Sequence, residues 1–385
     1  MTELSFPGQR PTALRVLDSN VSPLPLLRGR VLVHENTRFI PRMRHSIDDD
    51  LGGIVVTGDT ADERAFQLRT EVGFTGPLLI DSAPYKTHTA TVDEPFLLPR
   101  DDMFADVETS LSFQKARGAS AALTPTGYVE PENARALKAV WHAAERIERG
   151  DVIVSLPIDA AWLKDSHIRQ LIAICTQIKQ PKALILAGQF DPLEGAKEMP
   201  ANLRRLMSEV EHMALLRSDL AALDAMAYGA SFAGIGSDSS LRHSVAPGER
   251  VLVASGGGAQ YPKVLLPNLM CFKGAVGLAN KYANTPPPVC YCDECDGQAL
   301  DRFDKPDGLT RQESEDHNVL VWGGWASEMA AHAAGADRQG WWRDKCAAAV
   351  EQYALENQRL GVSSRAGFQA PTPLKAWAAL PAGTR

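Results

Sequence analysis

The sequence predicts an α/β fold of the (β/α)8 kind, a TIM-type barrel followed by a distinct C-terminal segment. Three observations predict it. Short runs rich in Val, Ile and Leu recur through the first part of the chain, helical stretches separate several of them, and no glycine-rich dinucleotide fingerprint follows an early strand. The last point disfavours an open doubly wound sheet, the chief alternative for alternating strands and helices.

The strands are read, in order, at Arg30–Val33, Gly53–Thr57, Pro77–Ile80, Ala119–Leu123, Asp151–Ser155, Ala183–Ala187, His212–Leu216 and Ser231–Gly236. Among the helices, Glu132–Arg149 follows Pro131 and spaces Ala134, Leu137, Val140, Trp141 and Ala144 along one side. Ala161–Lys179 does the same with Leu163, Ile168, Leu171, Ile172 and Cys175. Asp219–Tyr228 is capped by Ser218 or Asp219 and stopped by Gly229. After Gly236 the pattern breaks: Gly256–Gly258 and Pro286–Pro288 interrupt regular structure, and two helices are expected near His317–Ala334 and Gly340–Leu360. The barrel is therefore assigned to residues 1–245 and the appended segment to 246–385.

Composition narrows the function classes. In 385 residues, 44% are hydrophobic and 23% charged, which excludes wholesale disorder. No run approaches the roughly 18 apolar residues of a membrane span, so no membrane association is expected. Met1–Arg15 lacks the basic start and apolar run of a secretory signal, which points to the cytoplasm. A net charge of −7 confines any nucleic-acid contact to local patches such as Arg38, Arg42, Arg44 and His45, or Arg242 and His243.

Three of the six cysteines fall in Cys290-Tyr-Cys292-Asp-Glu-Cys295. In a chain with no export signal, such clustering reads as metal ligation, not disulfides. Zinc takes four soft or borderline ligands in a tetrahedron, and a turn can aim three sulfurs at one point. His317, at the apparent start of a helix, is the expected fourth ligand; His332, Cys271 and Cys346 are its rivals. A closed four-ligand site has no open position for water and is structural, which makes 246–385 a zinc-binding subdomain with C-terminal helices.

The cluster, its place after the last strand and the distant histidine resemble the tRNA-guanine transglycosylase superfamily, including relatives that place 7-deazaguanine bases in DNA. That resemblance implies a barrel with structural Zn2+ near its C-terminus, a nucleic-acid substrate (DNA or tRNA), an incoming 7-deazaguanine such as preQ0, and a homodimer. Pro77-Leu-Leu-Ile-Asp81-Ser82 is similar to the strand that supplies an active-site aspartate, with Ala83-Pro84-Tyr85 in place of glycines and an aromatic residue. The segment from Leu123 to Asp159 is similar to the one leading to the base-recognising aspartate, and Gly188-Gln189 resembles a base-contacting position. Gly229–His243 resembles the last strand and its Arg-containing loop; aligning Arg242 puts Ala233 or Gly234 at the nucleophile's position, with Asp238 later in the loop.

The resemblance implies double displacement: a carboxylate traps C1′ of the nucleotide as a glycosyl ester, and the incoming base attacks from the original side, the logic of retaining glycosidases. Asp59, Asp81, Asp159 and Asp238 each follow a predicted strand and can converge on one mouth. Asp81 and Asp238 are the expected catalytic pair, with Ser82, Asp159, Gly188, Gln189 and Arg242 on the substrate. Tyr85 and Phe190 are candidate stacking rings. Departures from the tRNA-type motifs at Ala83–Tyr85 and Gly234 favour DNA. Two other functions fit the same chain: a non-catalytic nucleic-acid-binding subunit, and a barrel hydrolase of free nucleosides.

Overall fold

The computed structural model of the chain describes residues 19–36, 44–98, 106–249 and 261–379. Arg38, Arg42 and Gly256–Gly258, singled out above, lie outside these residues. Eight strands run parallel: β1 (Val31–Asn36), β2 (Ile54–Thr57), β3 (Leu78–Asp81), β4 (Ala122–Leu123), β5 (Val152–Asp159), β6 (Lys182–Ala187), β7 (Met213–Ser218) and β8 (Ala233–Gly236). Their order is β3-β2-β1-β8-β7-β6-β5-β4, so β8 returns beside β1 and the remaining gap falls between β3 and β4. Ser120 closes that gap. Its N–H donates to Leu78 O at 2.7 Å, and its hydroxyl accepts from the Leu78 N–H at 3.1 Å. Arg69 clasps the same seam, donating to Phe74 O and Gly76 O on one side and to Gly118 O and the Ser120 hydroxyl on the other. The result is a nearly closed TIM-type barrel, as the sequence predicts.

Side chains alternate along each strand. Leu32, Val55, Leu79, Leu123, Ile153, Ile185, Leu216 and Phe232 fill the barrel interior. Their neighbours Val33, Val154, Leu184, Leu215 and Ile235 turn outward beneath the helices. Each such side chain contributes about 1.5–3 kcal/mol by leaving water, so the doubly apolar strands are the main support of the fold. The short α1 (Leu24–Leu27) precedes β1, and between strands lie α2 (Ala61–Thr70), α3 (Val107–Ala116), α4 (Ala134–Glu145), α5 (Ile168–Gln177), α6 (Met199–Glu209) and α7 (Ala221–Ala227). No helix among the described residues is long and apolar enough to cross a membrane.

Several boundaries move for physical reasons. β1 runs past Val33 through His34 and Glu35, because its ladder with β2 continues to Asn36. In α4, Asn133 accepts from the Ala136 N–H at 3.1 Å and sets the start. Ala160–Leu163 winds as a 3-10 turn, and α5 begins only at Ile168. Beyond the barrel come an antiparallel hairpin, β9 (Lys263–Leu266) and β10 (Cys271–Gly274), then α8 (Ala275–Lys281), α9 (Gly308–Ala330), α10 (Ala336–Arg359) and α11 (Thr372–Ala379). The first long C-terminal helix starts well before His317, because Asp307 accepts from the Thr310 N–H at 2.8 Å and caps it there.

The C-terminal segment is packed onto the barrel. Asp224 of α7 and Arg204 of α6 form a buried ion pair at 2.7 Å; Trp342 Nε1 of α10 donates to Asp224 at 2.9 Å, and Arg204 also donates to Trp377 O of α11. One buried ion pair thus joins four helices.

Candidate active site and metal centre

The mouth of the barrel is built where inward positions of the strands become polar. Asp81 ends β3 at 3% exposure. Its Oδ1 accepts from the Ala83 N–H at 2.9 Å. Its Oδ2 accepts from the Tyr85 hydroxyl at 2.6 Å and the Thr57 hydroxyl at 3.4 Å, and His34 Nε2 approaches it at 3.2 Å. Ala83 reaches this geometry with φ 48, in the left-handed region that a non-glycine residue enters at a cost.

Burial alone would push the Asp81 carboxyl up. Contact with His34, the charges of His34 and Arg217, and the Tyr85 hydroxyl outweigh it and hold the group at about 2. Desolvation pushes fully buried His34 below the ordinary imidazole range, more than Asp81 raises it. At neutral pH, then, the carboxylate is the charged member of the pair. Among the described residues neither ring nitrogen of His34 has an aligned hydrogen-bond partner, although Nε2 lies close to Asp81. A buried imidazole in that state calls for an explanation, and a role in chemistry is one. Arg217 sits at φ 50 beside an irregularity in the β7–β8 ladder. It donates to His243 O at 2.9 Å and Ser240 O at 2.8 Å; the guanidinium also approaches the Tyr85 hydroxyl, and Nη1 is buried with no aligned partner among the described residues.

A second tyrosine–aspartate pair stands beside the first. Asp159, at the end of β5, accepts from the Tyr128 hydroxyl at 2.7 Å and the Ala161 N–H at 2.8 Å. Tyr85 and Tyr128 belong to the same interior cluster, and the loops after β3 and β4 are knitted by Ala90 N–H to Tyr128 O and Tyr128 N–H to His88 O. Ser82 is exposed on the same loop as Asp81.

The other predicted residues go elsewhere. Asp238 caps the turn Ser239–Leu241, accepting from the Ser240 N–H at 2.7 Å. Its charge acts on Glu35, Glu315, Arg242 and Lys263. Glu35 is His34's neighbour on β1 and bonds to the Ser237 hydroxyl; burial, with the charges of Asp238 and Asp316, pushes it up to about 8. On β8 the residues in register with inward-facing Leu32 and His34 are Gly234 and Gly236, so that strand presents no carboxylate there. Arg242 is buried, donates to Gly236 O and Ser237 O, and lies 3.4 Å from the centroid of the Phe272 ring. His243 is held at about 4 by burial and by the charges of Arg217 and Lys263. Arg242 and His243 are therefore not a solvated basic face. Gly188 N–H donates to Ser244 O at 2.9 Å, Gln189 donates to Glu249 at 2.6 Å, and Phe190 is 66% exposed. Asp59 is exposed.

Sequence reasoning missed His34, Arg217 and Tyr128. The signal for His34 was a polar residue at an inward position of an apolar strand, two after Leu32.

The Cys290, Cys292, Cys295 and His317 ligand atoms all lie within 4.8 Å of one another, the only such group among the described residues. Cys292 Sγ is 3.5 Å and Cys295 Sγ 3.3 Å from His317 Nδ1. Cys295 N–H and Asp296 N–H both donate to Cys292 O, and Gly297 N–H returns to Cys290 O, closing a tight knuckle. His317 reaches it from the interior of α9, not from the helix start the sequence suggested. Its Nε2 lies 2.8 Å from Leu265 O. A carbonyl can only accept, so Nε2 carries the hydrogen and Nδ1 turns a lone pair toward the sulfurs. His332 instead faces Asp337 at 3.3 Å, while Cys271 and Cys346 are buried apart from the cluster.

No protein-family model matches this chain, and no curated protein matches it. Among solved structures, dihydrodipicolinate synthase from Aquifex aeolicus is similar over 54% of this chain and 68% of that one, at 12% identity and a TM-score of 0.32.

Proposed function

We propose that this chain is a pentosyltransferase that exchanges guanine for a 7-deazaguanine base in nucleic acid, DNA ahead of tRNA, with a structural zinc ion in its C-terminal segment. One observation carries the reading: Asp81 is a buried carboxylate kept ionised at the barrel mouth, and among the described residues its Oδ1 accepts only one hydrogen bond. That oxygen keeps a lone pair for attack on C1′. The bond from C1′ to the purine nitrogen then breaks, its electron pair leaves with the base, and a glycosyl ester of Asp81 forms. The incoming deazapurine attacks C1′ and releases the carboxylate. The departing base takes up a proton and the incoming one gives one up, so the exchange is proton-neutral. We assign the shuttle to His34, the base edge to Asp159, and a backbone phosphate or sugar oxygen to the unpartnered Nη1 of Arg217.

The donor set supports zinc. Bonds of about 2.3 Å to sulfur and 2.0–2.1 Å to nitrogen give a tetrahedral S···N edge of about 3.6 Å, close to the 3.3 and 3.5 Å separations in the protein. The Leu265 carbonyl is the outer partner that fixes the histidine. The ion supplies no step of the exchange; it fastens the knuckle and α9 to the hairpin.

The test is incubation with radiolabelled guanine and duplex DNA or tRNA, followed by a denaturing gel for a covalent protein–nucleic acid adduct. Label in one polymer, abolished by Asp81→Asn, is expected. Folded, zinc-loaded protein that labels neither polymer would overturn the proposal. The glycines on β8 favour a second reading, a binding subunit of such an enzyme. Under it Asp81→Asn leaves the activity of the assembled complex intact.

A further inference from the structure

A cavity of about 240 Å³ lies at the rim of the barrel, between the loops after β6, β7 and β8, the β9–β10 hairpin and α11, and is lined by none of Asp81, His34 and Asp159. One part of its lining is acidic, with Asp191, Glu194 and Asp219; another is basic, with Arg242, Lys263 and Lys273. Phe272, Leu374 and Trp377 line the space with apolar surface. Among the described residues no ion pair joins the two groups. Buried Arg242 and half-buried Asp219 attract each other without meeting in an ion pair, which leaves room between them for a bound group. Asp191 and Asp219 each spend one oxygen on a local N–H, from Leu193 and Ala221. Arg242 spends its bonds on two carbonyls and is held flat over Phe272.

We infer that this cavity binds a small zwitterion, its ammonium or amidinium end on Asp191, Glu194 and Asp219 and its carboxylate or phosphate end on Arg242, Lys263 and Lys273. The ligand brings a directly contacting counter-charge to each group, and its short apolar body covers Phe272 and Trp377. The volume is below the ~300–1,000 Å³ of drug-sized pockets, which selects a small metabolite. Burial, then the charge of Asp219, pushes Asp191 up to about 8, and burial pushes Asp219 up as well, so an arriving cation would relieve both.

Calorimetry on the full chain with two homologous series tests this: ω-amino acids and ω-aminoalkyl phosphates of increasing length, against propylamine, butyrate and inorganic phosphate. One length in either series should bind at least tenfold tighter than every half-molecule. Lys273→Gln and Glu194→Gln, both near the protein surface, should each weaken that binding tenfold or more with an unchanged melting temperature. Absence of binding by every member, equal binding of the half-molecules, or indifference to both substitutions would overturn the inference. None of these results bears on Asp81, so the base-exchange reading stands or falls separately.

Discussion

Replacing His317 with alanine tests the metal centre most directly. The substitution removes one of four ligands from a set whose atoms lie within 4.8 Å of one another. It also strips the Leu265 carbonyl of its partner at 2.8 Å. An unsatisfied buried acceptor alone costs about 1–3 kcal/mol. Loss of the ligand should cost more: outer-shell partners alone are worth about 10–100-fold in metal affinity, so the loss should exceed about a hundredfold. Stabilisation by a bound ion grows with the logarithm of its concentration over Kd, which gives about 2.7 kcal/mol for each hundredfold. His317→Ala should therefore unfold about 4 kcal/mol more easily than wild type in zinc-containing buffer. The assay is guanidinium unfolding of untagged protein with and without chelator, beside elemental analysis. Wild type should carry one zinc ion per chain and lose stability to chelator; His317→Ala should carry none and ignore it. His332→Ala, whose ring faces Asp337, should behave as wild type. A wild-type protein without stoichiometric metal, or a His317→Ala variant still sensitive to chelator, would refute the reasoning.

Asp81→Asn should destabilise the fold as well as remove activity. The carboxyl moves from 3.8 to about 2 on folding, worth about 2.5 kcal/mol at about 1.4 kcal/mol per pH unit. Because that pKa is depressed, the contribution is present above about pH 4 and lost as pH falls toward 2. The gap between wild type and variant, measured by urea unfolding, should narrow over that range. Glu35 has the opposite sign: raised from 4.5 to about 8, it favours the folded state most below pH 4.5, and that contribution is lost as pH rises through 8. Glu35→Gln should flatten the alkaline side of a melting-temperature profile. Asp224→Asn leaves Arg204 buried without its counter-charge and should cost about 3–5 kcal/mol by chemical denaturation. Gly236→Ala puts a Cβ 2.4 Å from the Leu241 carbonyl, and should cost about 1–3 kcal/mol while displacing the turn that carries Arg242.

What the sequence revealed was what is local. The three cysteines could be read because their spacing already forms the knuckle, and the strands because each is buried on both faces. Asp81 was legible as a polar stop on an apolar run. His34, Arg217 and Tyr128 were not, because each acquires its partner only when the barrel closes and sets β1, β3, β5 and β7 around one axis. Arg217 also depends on a left-handed backbone that no residue pattern announces. Asp238 shows the limit from the other side. An aspartate followed by serines after a strand serves equally as nucleophile or cap, and here its oxygen is spent on the Ser240 N–H. The start of α9 was hidden in a polar stretch, where Asp307 rather than an apolar period sets the boundary.

The Arg69 clasp has a mechanical corollary. It grips the β3–β4 seam at the end where both strands begin, through Phe74, Gly76, Gly118 and Ser120, while past the strand ends the seam is tied by backbone bonds from Ala90 to Tyr128, Tyr128 to His88, Gly127 to Pro95 and Leu97 to Pro125. β3 and β4 themselves share no ladder, so their facing amides should exchange with solvent sooner than those of β6 and β7. The cylinder is thus closed along this seam by Arg69 and Ser120 at its base and by loop backbone at its rim beside Asp81, where every other neighbouring pair of strands shares a ladder.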